Sequence, residues 1–120
     1  RKLYHITETG RVELRRWLTE PLPTHDSRHA SLIQVFFSGQ LSDEEILAIF
    51  KQEAEQLRER LKRYDQVPQR SAEYVATINS PRETFFWMLT LEYGIKVVQA
   101  SLEWTENVIQ RIENKQHPVE

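Results

Sequence analysis

The sequence predicts an all-α fold: an antiparallel helical domain of about four helices, two of them long. A short orphan β-strand precedes them, and the whole is expected to pair as an intertwined or coiled-coil-like dimer. Three observations point there. Well-formed helix starts stand at Ser42 and Ser80, and apolar residues then return every three or four positions. Only three glycines and five prolines interrupt the 120 residues.

Taken in order, Arg1-Lys2-Leu3-Tyr4-His5-Ile6-Thr7 alternates as a strand does, with Leu3 opposed to Tyr4 and His5. No second segment offers it a partner, which suggests a sequence cut from something longer. A helix is expected at about residues 8–19, followed by a break at Pro21-Leu22-Pro23. A second helix is expected at about 27–38, closed by Gly39-Gln40. Ser42-Asp43-Glu44-Glu45 then reads as a capping box, with Leu41 and Ile46 placed as a hydrophobic staple. Behind it Leu47, Phe50, Ala54, Leu57, Leu61 and Tyr64 share one helical face. Val67 to Asn79 reads as a break around Pro68. Ser80-Pro81-Arg82-Glu83 repeats the capping scheme, with proline where its missing N–H costs nothing. His117-Pro118-Val119-Glu120 reads as a frayed end.

The last helix carries the longest pattern. Met88, Leu91, Ile95, Val98, Leu102, Thr105, Ile109 and Ile112 step by three and four, with Thr105 the only polar member. From Pro81 to Asn114 such a helix extends about 50 Å, whereas a compact domain of this size is only about 35 Å across. An apolar seam overhanging its own globule needs cover, and a second copy supplies it. The expected dimer interface is therefore Met88, Leu91, Ile95, Val98, Leu102, Ile109 and Ile112.

Several function classes fall away. The composition, 39% hydrophobic and 28% charged, is that of an ordinary globular chain. The longest apolar run, Phe85 to Leu89, is far short of the roughly 20 residues that span a bilayer. No apolar h-region follows Arg1-Lys2, and cysteine is absent, so a cytoplasmic setting is expected. A net charge of −2 argues against coating nucleic acid by bulk charge. No Gly-rich phosphate loop, nucleophile elbow or carboxylate–histidine cluster occurs, so neither catalysis nor a cofactor is expected. His25 and His29 stand four apart, but the helix start expected after His25 spoils zinc-ligand geometry. The run Arg58-Glu59-Arg60-Leu61-Lys62-Arg63 reads as a solvated helix face.

The opening run K-L-Y-H-I-T-E-T-G-R-V-E-L-R-R-W-L-T-E-P carries a resemblance. It resembles the end of the winged-helix domain of PadR-family transcriptional regulators, with the strand as second strand of the wing. The remainder is similar to that family's longer C-terminal domain, of the type named for a virulence activator. There the matching features are Leu32 and Phe36, the helix from Ser42, and Thr90-Leu91-Glu92-Tyr93-Gly94 with Leu102-Glu103-Trp104. The resemblance divides the chain into a winged-helix remnant (1–20) and a helical dimerisation domain (21–120). It implies that Arg1 and Lys2 touch the DNA backbone in an intact regulator, since wing cations position a protein without reading bases. Arg11, Arg15 and Arg16 are interleaved with Glu8, Glu13 and Glu20 and suit that role less well.

The family's recognition helix lies upstream of the wing, so DNA contact is expected only through a domain outside these residues. The resemblance further implies a small aromatic effector, for which Phe85, Trp87, Tyr93 and Trp104 form a candidate pocket. Aromatics at helical spacing also fill cores and interfaces, and packing is the alternative for this cluster. The expected function is a dimerisation and effector-sensing domain that spaces two winged-helix heads on a palindromic operator. The rival is a helical coiled-coil adaptor unrelated to DNA.

Overall fold

A computed structural model describes residues 3–23 and 29–120. The chain divides into two compact units, one ending at Ile33 and the other running from Gln34 to Glu120. Among the described residues five α-helices follow one another: α1 (Glu8–Thr19), α2 (Ala30–Phe36), α3 (Asp43–Asp65), α4 (Val67–Ile78) and α5 (Pro81–Glu113). A 3₁₀ turn at Ser38–Gln40 closes α2.

The expected strand is absent among the described residues: positions 3–7 form no regular element. A strand's N–H and C=O groups need a neighbouring strand, and alternation alone cannot supply one. The segment instead serves α1. Thr7 caps that helix, its Oγ1 accepting the Gly10 N–H at 3.0 Å. Gly10 fits closely there: a Cβ would sit 3.0 Å from Ile6 Cγ1 and 3.2 Å from the capping oxygen, so those side chains would have to give by a few tenths of an ångström. On α1, Arg16 reaches both Glu13 and Glu20, and no residue of the helix is buried.

The second unit is built on α3 and α5. Ser42 and Glu45 form the reciprocal capping box, with the Ser42 N–H donating to Glu45 Oε1 at 3.1 Å and the Glu45 N–H to Ser42 Oγ at 3.2 Å. Ser80 caps α5 through the Glu83 N–H at 3.3 Å, with Pro81 in the first turn. The two helices run antiparallel. Lys51 pairs with Glu113 at 3.9 Å, Arg58 with Glu106 at 3.4 Å, and Tyr64 lies against Gly94. These ion pairs are exposed and mark the register more than they hold it. The stabilising contact is the apolar strip between them: Phe50, Ala54 and Leu57 of α3 are buried with Val98 and Thr105 of α5. Thr105 is tolerated inside because its hydroxyl donates to the Ser101 carbonyl one turn back, at 2.8 Å.

Two expectations are corrected here. Val67–Ile78, read as a break, is a helix, because Pro68 falls in the first turn of α4, where its missing N–H has no bond to lose. Asn79, in left-handed conformation (φ 51°), ends it. Nor is the end of the chain frayed as far as His117. Lys115 takes the left-handed conformation (φ 56°). The N–H groups of Lys115 and Gln116 then return to the carbonyls of Ile112 and Arg111, a Schellman turn. That turn directs Lys115 and His117 onto Asp43 at the start of α3.

Candidate functional site

The overhang of α5 lies at its beginning. Because Tyr64, next to last on α3, meets Gly94, the first thirteen residues of α5 run past the end of α3. At the far end the Asp43 carboxylate accepts from His117 Nε2 at 2.9 Å and Lys115 Nζ at 3.2 Å, so that terminus is covered. The His117 contact first, and Lys115 second, hold the Asp43 carboxyl below the usual carboxylate range.

Helix α5 carries two apolar stripes. The first is the seam read from the sequence, and it faces α3 of the same chain. Val98 is only 4% exposed, and Met88, Leu91, Ile95, Leu102, Ile109 and Ile112 are half-buried within the single chain. The second stripe was not anticipated. Phe86, Leu89, Tyr93, Val97, Ala100 and Trp104 also step by three and four, which places them along a second face of the helix, with the Trp104 ring at its end turned back against Phe50 of α3. All are exposed, the five larger side chains from 39% for Leu89 to 73% for Tyr93. The signal was present in the sequence but masked by Phe85-Phe86-Trp87, whose three side chains leave the helix in different directions.

The four aromatics expected to form an effector pocket do not converge. Phe85 packs edge-on against Phe86, with ring centroids 5.3 Å apart. Trp87 stacks on Tyr74 of α4 at 6.2 Å, and Trp104 tilts against Phe50 at 5.7 Å. Tyr93 stands on the outer stripe. Trp87 borders a cleft between α4 and α5. Arg1, Lys2 and His25 lie outside the described residues, and His29 is exposed beside the start of α2. Among the described residues no group of acidic or histidine side chains could hold a metal ion, and no helix is long and apolar enough to cross a membrane.

Comparison with known proteins places this geometry. A solved structure, that of Bacillus subtilis PadR in complex with operator DNA, superposes with a TM-score of 0.70 at 22% sequence identity. The match covers 88% of this chain and 58% of the PadR chain, so the present sequence spans little more than half of that protein. No curated protein matches the chain. Residues 27–113, which include α2 through the end of α5, match the family described as virulence activator alpha C-term. The chain therefore belongs to the virulence activator alpha C-terminal family, the helical domain associated with PadR regulators.

Proposed function

We propose that this chain is the dimerisation domain of a PadR-like, DNA-binding transcriptional regulator, and that it pairs through the outer stripe of α5. The observation that carries this reading is that stripe: six residues from Phe86 to Trp104, exposed and aligned on one helix face. Burying a large apolar side chain is worth about 1.5–3 kcal/mol, so a surface of this kind strongly favours a partner. The stripe also reads nearly the same in both directions. Phe86 and Trp104 lie equally far from Ile95, as do Tyr93 and Val97. A two-fold axis near Ile95 would set two α5 helices antiparallel, each aromatic end against the other's opposite end, as an isologous interface requires.

The mechanism is geometric. Paired helices hold two DNA-binding domains at a fixed separation, and a palindromic operator is read when that separation matches half-sites about 34–36 Å apart. The likeness to a PadR protein bound to operator DNA supports the DNA link. Light scattering after size exclusion tests the pairing. A mass near twice 14.3 kDa, holding through about a hundredfold dilution, is expected for a dimer tighter than micromolar. A clean monomer would refute the reading.

A further inference from the structure

The outer stripe of α5 is bordered by two unlike flanks. Glu92 and Lys96 stand one turn apart along one side of it, both exposed. Neither takes part in an ion pair among the described residues. Thr90, Gly94 and Ser101 border the other side and carry no charge.

How these flanks meet depends on the direction of pairing. A two-fold axis lying across antiparallel helices brings like flank to like flank. An axis running along parallel helices sets the charged flank of one chain against the uncharged flank of the other. Glu92 lies three residues before Ile95 and Lys96 one residue after it. With the axis at Ile95, the partner's Glu92 therefore stands two residues beyond Lys96, about 3 Å along the helix. The lysines flank the axis and the glutamates bracket them. Along the seam the order is Glu92, the partner's Lys96, Lys96 and the partner's Glu92, a cluster without net charge. In a parallel pair each lysine would face the side of Gly94 and Ser101, where no carboxylate stands.

We propose that Glu92 and Lys96 form a charge cluster across the two-fold axis, which selects a second copy of this chain as partner and sets the helices antiparallel. The inference rests on the pairing through the outer stripe proposed above. An exposed ion pair adds little affinity by itself. Its effect is on which chains meet, since like charges set side by side at an interface exclude a partner.

Light scattering after size exclusion at low ionic strength, on the whole chain and its charge variants, tests this. Lys96→Glu leaves only carboxylates around the axis, and Glu92→Lys only ammonium groups. Each variant alone should self-associate about tenfold more weakly than the parent chain, or worse. An equimolar mixture of the two should restore the dimer, because every charged contact across the seam then joins opposite signs. The exchanged chain, Glu92→Lys with Lys96→Glu, keeps the parent's net charge and should pair with itself as the parent does. In about 1 M salt, where the screening length is about 3 Å, the single variants should recover their pairing. Circular dichroism checks that each variant keeps its helices, and Lys96→Asp and Glu92→Arg serve if either does not. A dimeric parent whose single variants pair with themselves as tightly, or whose mixed variants pair no better than each alone, would overturn the charge cluster and leave the stripe as the interface. A monomeric parent would overturn the pairing itself, and the cluster with it.

Discussion

Asp43 and His117 stand seventy-four residues apart in the chain, yet Asp43 Oδ1 and His117 Nε2 are joined by a hydrogen bond of 2.9 Å. Lys115 Nζ occupies the other carboxylate oxygen at 3.2 Å. One side chain in the first turn of α3 thus holds the residues that follow α5. The arrangement also suits the helix dipole, since Asp43 sits at the positive end of α3.

This contact has a pH signature. The Asp43 carboxyl ionises more readily folded than unfolded, because His117 and then Lys115 favour its charged form. The stabilisation is therefore fully present above the unfolded value, about pH 4, and is lost as pH falls through the lower folded value. Asp43→Asn should lower the Tm at neutral pH, and the gap from the parent chain should close in the acid range below about pH 4. A gap that stays constant down to pH 2 would mean that the carboxylate charge contributes nothing.

Val97 and Val98 are neighbours that face opposite ways, and they separate folding from pairing. Val98 is buried against α3, so Val98→Asp should cost about 3 kcal/mol or more and abolish cooperative thermal unfolding. Val97 is exposed on the outer stripe. Val97→Asp should leave the helical circular dichroism intact while halving the mass seen by light scattering. A Val97→Asp chain that remains dimeric would move the interface off this stripe.

The absence of cysteine allows the direction of pairing to be read directly. Phe86 and Trp104 lie about 27 Å apart along one helix. With two α5 helices antiparallel about Ile95, a mixture of Phe86→Cys and Trp104→Cys chains should form a disulfide between them on oxidation. Neither variant alone should do so, because a disulfide needs Cα atoms about 6 Å apart. Cross-linking of either variant with itself, read on a non-reducing gel, would indicate parallel helices.

The two long helices should respond unequally to loss of their caps. Ser42 takes part in a reciprocal box, while Ser80 makes one bond beside Pro81. Ser42→Ala should cost about 1 kcal/mol and lower the Tm by a few degrees. Ser80→Ala should cost less, since Pro81 still fixes the first turn. Equal losses in differential scanning calorimetry would count against the reciprocal bond.

What the sequence makes legible is local. Ser42 with Glu45, Ser80 with Pro81, and the apolar steps from Leu47 to Tyr64 are decided within a few residues, and the helices form there. Pro68 misleads because proline breaks a helix interior but suits a first turn, and only the placement of Gln66 distinguishes the two. The return of His117 onto Asp43 is illegible for a different reason. Lys115 adopts a left-handed conformation that glycine would have advertised. The face that α3 covers could not be told from the face it leaves bare, since Val98 and Val97 are the same residue type and the choice between them is made by tertiary packing.

The order of synthesis follows from the pairing of α3 with α5. The buried face of α3, Phe50, Ala54 and Leu57, is complete before any of α5 has been made, and its partner Val98 comes some forty residues later. On a ribosome adding about 5–20 residues per second, that face waits uncovered for several seconds. Newly made α3 thus presents Phe50 and Leu57 to neighbouring chains until α5 arrives, and the contact of His117 with Asp43 forms only after α5 is complete.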